Sequence, residues 1–98
     1  NNFFKPLKVK DLAERANLSE RHFSRVFVKN YHIPPMEYIL RLSLQYAQKL
    51  LKDKDLTISQ IADMTGFYDA CAFSRKFKEV YGLSPGKYKK LQQNSTNV

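Results

Sequence analysis

Ninety-eight residues with a net charge of +8 and 43% hydrophobic side chains make one compact module, or two very small ones sharing a core. No apolar run reaches the roughly 20 residues of a membrane-spanning helix, no signal-peptide pattern opens the chain, and the single cysteine, Cys71, excludes an internal disulfide and fits a reducing cytoplasm. Basic groups are spread evenly, 9 against 4 acidic in residues 1–49 and 8 against 5 in residues 50–98, so a polyanion is the natural partner of this surface.

Asn1 to Pro6 reads as the tail of a preceding element, with Phe3 and Phe4 apolar enough to pack onto the domain. Val9 to Ala16 has helical spacing through Val9, Leu12, Ala13 and Ala16. Asn17, which tolerates left-handed backbone, ends it. Ser19 is an N-cap for a second helix, Glu20 to Asn30, that turns Phe23, Val26 and Phe27 inward, with Tyr31 just beyond. Two short helices joined by a tight turn make a helix-turn-helix candidate.

Pro35 to Lys52 is a long, one-sided amphipathic helix. Ile39, Leu40, Leu44, Ala47, Leu50 and Leu51 share one face; Arg41, Gln45, Gln48, Lys49 and Lys52 share the other. Pro35 suits the first helical position, where its missing N–H costs nothing. At about 1.5 Å per residue the rod is roughly 27 Å long.

What precedes this helix recurs after it. Thr57 and Gln60 have capping-box spacing. Ile58, Ile61 and Ala62 match Val9, Leu12 and Ala13 at an offset of 49, and Gly66 and Phe67 fall on Asn17 and Leu18. One extra residue then enters the turn and the offset becomes 50: Asp69 takes the N-cap place of Ser19, and Phe73-Ser74-Arg75 repeats Phe23-Ser24-Arg25. Phe77, Tyr81, Pro85 and Tyr88 repeat Phe27, Tyr31, Pro35 and Tyr38. The expected fold is therefore all-α, with two helix-turn-helix subdomains (7–34 and 56–91) joined by a linker helix (35–53) and followed by a polar, disordered tail (92–98).

These motifs resemble the DNA-binding domain of AraC/XylS-type bacterial transcription regulators. The resemblance runs from about Leu7 to Leu91 and rests on Val9, Leu12 and Ala13, the Leu18-Ser19 turn, both Phe-Ser-Arg helices and the Pro35–Tyr38 opening of the linker. It is most specific from Ile61 to Tyr88. It implies seven helices, the first reduced here to a remnant around Phe3 and Phe4, and recognition helices in neighbouring major grooves of double-stranded DNA. It also implies a C-terminal placement after a ligand-sensing or signal-receiving part, through which the intact protein would dimerise while this domain stays monomeric. RNA polymerase is a further expected partner, the cytoplasm and its nucleoid the expected location.

The recognition residues follow from helix geometry as well. With Phe23, Val26 and Phe27 inward, Arg21, Ser24, Arg25 and Val28 form the outer stripe. Arginine pairs bidentately with guanine, and serine serves either base. The resemblance places base readout at Arg21, Ser24 and Arg25 too; the alternative is that the arginines are solvated charges. In the second unit Cys71, Ser74, Arg75 and Lys78 occupy the equivalent stripe, with Ala70 beside them as a further base-contact candidate. Family members often carry a polar residue near Ala70 and Cys71 and an aromatic at Ala72, so readout here rests on Ser74 and Arg75. Cys71 is better read as a small residue than as a redox handle.

Phosphate contacts are expected from Lys29, Arg41, Lys76 and Lys78, and from the helix starts at Val9 and Thr57. Lys8 stands where Thr57 caps the second copy, leaving the first helix start less well capped. His22 and His32 lack companions at metal-ligand spacing, and no nucleophile–base pair or phosphate loop occurs, so neither metal, cofactor nor enzymatic activity is expected. The competing reading is a basic helical protein-interaction adaptor anchored by Tyr38, Tyr46 and Tyr88. Two spaced arginine-bearing helices argue against it. Their common chain direction suits an asymmetric site, and the rod with its flanking turns suits the roughly 34 Å between major grooves on one DNA face.

Overall fold

The structure, a computed structural model, describes residues 8–95. Among them are six helices and no strands: α1 (Val9–Arg15), α2 (Glu20–Tyr31), α3 (Pro35–Leu50), α4 (Ile58–Met64), α5 (Ala70–Tyr81) and α6 (Pro85–Ser95). The expected first helix around Phe3 and Phe4 lies outside the described residues. The chain forms two compact units, a first within Pro6–Ser43 and a second within Leu44–Val98. α3 begins in one and ends in the other.

In the first unit α1 starts at Lys8, whose side chain makes no cap hydrogen bond. It ends where Leu18 N–H donates to the Ala13 carbonyl at 2.9 Å and Asn17 N–H to that of Glu14 at 3.0 Å. This double closure needs one left-handed residue, and Asn17 supplies it at φ 59°. Ser19 Oγ then accepts from His22 N–H at 3.1 Å and starts α2. α2 ends on His32 at φ 68°, whose N–H donates to the Val28 carbonyl at 2.7 Å. Ala13, Pro35, Ile39 and Ser43 are buried, whereas no residue of α2 is. Phe23, Phe27, Tyr31 and Tyr38 stack as a half-open aromatic row, with ring centroids 4.6 Å apart for Phe27–Tyr31 and 5.6 Å for Phe27–Tyr38.

The second unit repeats this plan and closes it. Thr57 Oγ1 accepts from Gln60 N–H at 3.0 Å while Gln60 Oε1 accepts from Thr57 N–H at 2.8 Å, the reciprocal bonds of a capping box. Phe67 N–H donates to the Ala62 carbonyl and Gly66 N–H to that of Asp63, with Gly66 at φ 84°. Asp69 Oδ1 accepts from Ala72 N–H at 2.8 Å to start α5, and Gly82, also at φ 84°, ends it. Leu44, Ala47 and Leu51 pack with Ile61, Ala62, Phe73 and Phe77 into one fully buried cluster. Phe77 meets Tyr81 at 4.7 Å and Tyr88 edge-on at 5.5 Å. Lys89 Nζ donates to the Asp53 carbonyl at 2.7 Å, tying α6 to the charged loop before α4.

Three expectations are corrected. Val26 is 40% exposed rather than inward, because Phe23 and Phe27 already fill the narrow apolar stripe of α2 and Val26 falls on its margin. The linker helix stops at Leu50, two residues early, where i to i−3 bonds from Lys52 and Asp53 tighten the last turn. The last helix continues to Ser95, since Gln92 and Gln93 are good helix formers and nothing before Ser95 breaks the run.

Candidate nucleic-acid interface

Each unit presents its second helix with an outer stripe that the caps and turns fix in register. On α2, Arg21, Arg25 and Val28 are exposed and Ser24 is half-buried. On α5, Cys71, Arg75 and Lys78 are exposed, and Ala70 and Ser74 are half-buried. Among the described residues no ion pair engages Arg21, Arg25 or Arg75. Their guanidiniums are therefore free to meet an external acceptor without first leaving an internal one.

The Phe-Ser-Arg triplets occupy equivalent places in both helices. The aromatic faces the unit's own packing, the serine sits at the margin, and the arginine projects into solvent. Phe73 is fully buried and Phe23 half-buried, so the triplet's anchor is firmer in α5 than in α2.

The expected phosphate contacts are less uniform. Lys29 and Lys78 are exposed at the ends of their helices. Arg41 Nε lies 2.9 Å from Glu37 Oε2 one turn earlier, and Lys76 Nζ lies 3.5 Å from Glu79 with its side chain only 21% exposed. Either cation must exchange a carboxylate for a phosphate in order to bind one. Thr57 spends its hydroxyl on the capping box, which leaves the backbone N–H groups of α4's first turn as the donors there. At Lys8 the start of α1 offers its N–H groups without a side-chain cap in competition.

Tyr38 is 44% exposed in the first unit's aromatic row, while Tyr88 is half-buried against Phe77. Among the described residues no group of His, Cys, Asp and Glu is arranged to hold a metal ion, and no helix is long and apolar enough to cross a membrane. Tyr68, which no motif or periodicity in the sequence singles out, stands 95% exposed in the turn between α4 and α5.

The pattern of a helix-turn-helix domain family matches residues 12–91, which take in both turns and both arginine-bearing helices. The chain is 38% identical over 89 residues to the Msm operon regulatory protein of Streptococcus mutans, covering 91% of this chain and 32% of that one. Among solved structures it resembles an AraC-type DNA-binding domain-containing regulator from Chromobacterium violaceum at 28% identity and TM-score 0.78, over 89% of this chain and 78% of that one. The chain belongs to the AraC-type helix-turn-helix family.

The DNA-binding domain of AdpA, a global transcriptional factor solved with a target DNA, has 28% identity and a TM-score of 0.81, covering 91% of this chain and 80% of that one. The C-terminal domain of the two-component response regulator yesN from Fusobacterium nucleatum has 34% identity and a TM-score of 0.77, covering 85% and 81%. The chain spans between 23% and 34% of the length of the first few curated relatives it matches. The family is one of DNA-binding transcription regulators.

Proposed function

We propose that this domain binds double-stranded DNA sequence-specifically as the DNA-reading part of a bacterial transcription regulator, with α2 and α5 as its recognition helices. The observation that carries this reading is the doubled Phe-Ser-Arg helix, each copy led in by a left-handed turn and an N-cap, with Arg25 and Arg75 exposed and unpaired among the described residues. The likeness to a domain solved on its target DNA supports it. Arg21, Ser24 and Arg25 read one half of the site; Ser74 and Arg75, with Ala70 and Cys71 beside them, read the other. Lys29, Lys78 and the helix starts at Val9 and Thr57 hold phosphates, joined by Arg41 and Lys76 once these exchange their carboxylate partners.

The two helices enter neighbouring major grooves, and the domain acts as a monomer on an asymmetric site. In the intact regulator, other parts supply dimerisation and signal reception, the location is the cytoplasm and its nucleoid, and RNA polymerase is a further partner. Selection from a random duplex pool tests the reading: an enriched, non-palindromic motif protected as two patches about one helical turn apart supports it. No enrichment over the starting pool refutes it.

A further inference from the structure

We infer that Tyr68 is a DNA-backbone contact of the second unit, its phenolic hydroxyl donating to a phosphate at the edge of the groove that α5 enters; this rests on the duplex-DNA reading above. Tyr68 is the residue by which the two turns differ. The first unit runs Asn17-Leu18-Ser19 directly into α2, whereas the second runs Gly66-Phe67-Tyr68-Asp69 into α5. At 95% exposure the ring serves no packing in its own domain.

Its position is nonetheless fixed from both sides. Phe67 is held by its N–H bond to the Ala62 carbonyl and by its ring 5.3 Å from that of Phe73. Asp69 is held by its cap on Ala72. A bulky aromatic is thus presented to solvent from a braced turn, immediately before the N-cap of the recognition helix. Helix-turn-helix domains bring the N-terminal end of that helix to the bases, so the residue before the cap lies beside the phosphates bordering the groove. Tyrosine is a recurrent phosphate donor. The contact also falls where α5 offers least, since its stripe opens on Ala70 and Cys71.

A neutral donor leaves a distinct signature. It adds affinity on every sequence and releases no counterion, unlike a lysine. Binding of the domain and its Tyr68→Phe, Tyr68→Ala and Lys78→Ala variants would be measured by fluorescence anisotropy, on the selected site and on an unrelated duplex, across a salt series. Both Tyr68 variants are expected to lose about three- to tenfold on both duplexes by the same factor, with the salt slope and melting temperature unchanged. Lys78→Ala should instead flatten the slope. Tyr68→Phe binding like the parent, or a loss confined to one base pair, overturns the inference while leaving DNA binding intact. A parent domain that binds neither duplex overturns both.

Discussion

Asn17 and Gly66 hold the same left-handed backbone, at φ 59° and 84°, and each closes its helix through the same pair of bonds to carbonyls three and five residues back. The turns preceding α2 and α5 thus depend on a conformation that few residues adopt. Gly66→Ala should cost about 1–2 kcal/mol, because a β-carbon there crowds the following carbonyl, and Gly66→Asn should cost less. Thermal unfolding checks this. The alanine variant is expected to melt some 4–8 °C lower per kcal/mol lost, and one that melted with the parent would show that the turn relaxes out of the left-handed region.

The two aromatic anchors are unequal. Phe77 is fully buried and Phe27 half-buried, so Phe77→Ala should cost about 3–5 kcal/mol and Phe27→Ala clearly less. Arg25→Ala, at an exposed position, should leave stability within about 0.5 kcal/mol while removing about 1–3 kcal/mol of binding on the preferred site. Urea denaturation of the three variants ranks them. An Arg25→Ala domain less stable than Phe77→Ala would reverse the facing of α2.

Affinity for duplex DNA should fall steeply with salt, with a log–log slope of about −0.9 per phosphate contacted. The slope should also register the internal ion pairs. Glu37→Gln frees Arg41 from its carboxylate 2.9 Å away, and is expected to raise affinity at low salt without changing the preferred sequence. Titrations of both proteins over the same salt range decide this, and identical curves would remove Arg41 from the phosphate set.

Base preference should be sharper in the half-site facing α2, whose stripe offers Arg21, Ser24 and Arg25, than in the half facing α5, where Ala70 and Cys71 replace longer donors. Ala70→Gln should add a preference, most simply for adenine, in the second half. Ala70 is half-buried, so its longer replacement must extend outward from the margin of α5. Randomising each half-site separately measures the information in each. Equal content in both would mean that side-chain inventory is not what sets readout here.

Much of this architecture was legible because it is local chemistry. Ser19, Thr57 with Gln60, and Asp69 cap helices wherever such residues precede an apolar run, and Asn17, His32, Gly66 and Gly82 take left-handed turns for reasons intrinsic to their backbones. The repeat then placed both arginine-bearing helices. What escaped depends on packing. Periodicity turned Val26 inward, but whether a margin position is covered depends on neighbouring elements, and its repeat mate Lys76 shows the same ambiguity as a half-buried cation paired with Glu79. The end of α6 escapes because polar composition alone does not distinguish a solvated tail from an exposed helix, and glutamine sustains a helix as well as lysine does. The Glu37–Arg41 pair was readable from its i, i+4 spacing. The exposure of Tyr68 was not readable, though the extra residue in its turn was.

The bond from Lys89 to Asp53 bears on how the domain meets a protease. Asp53 gathers the loop around itself: its carboxylate accepts from Asp55 N–H at 2.9 Å, and its carbonyl accepts from Leu56 N–H at 3.2 Å as well as from Lys89. Trypsin's peptide bonds at Lys52 and Lys54 lie within this knot, and an extended substrate strand can be drawn from it only after the knot opens. Limited digestion there should count openings of the loop rather than exposure of its lysines, and removing the Lys89 tether, 36 residues away, should speed it.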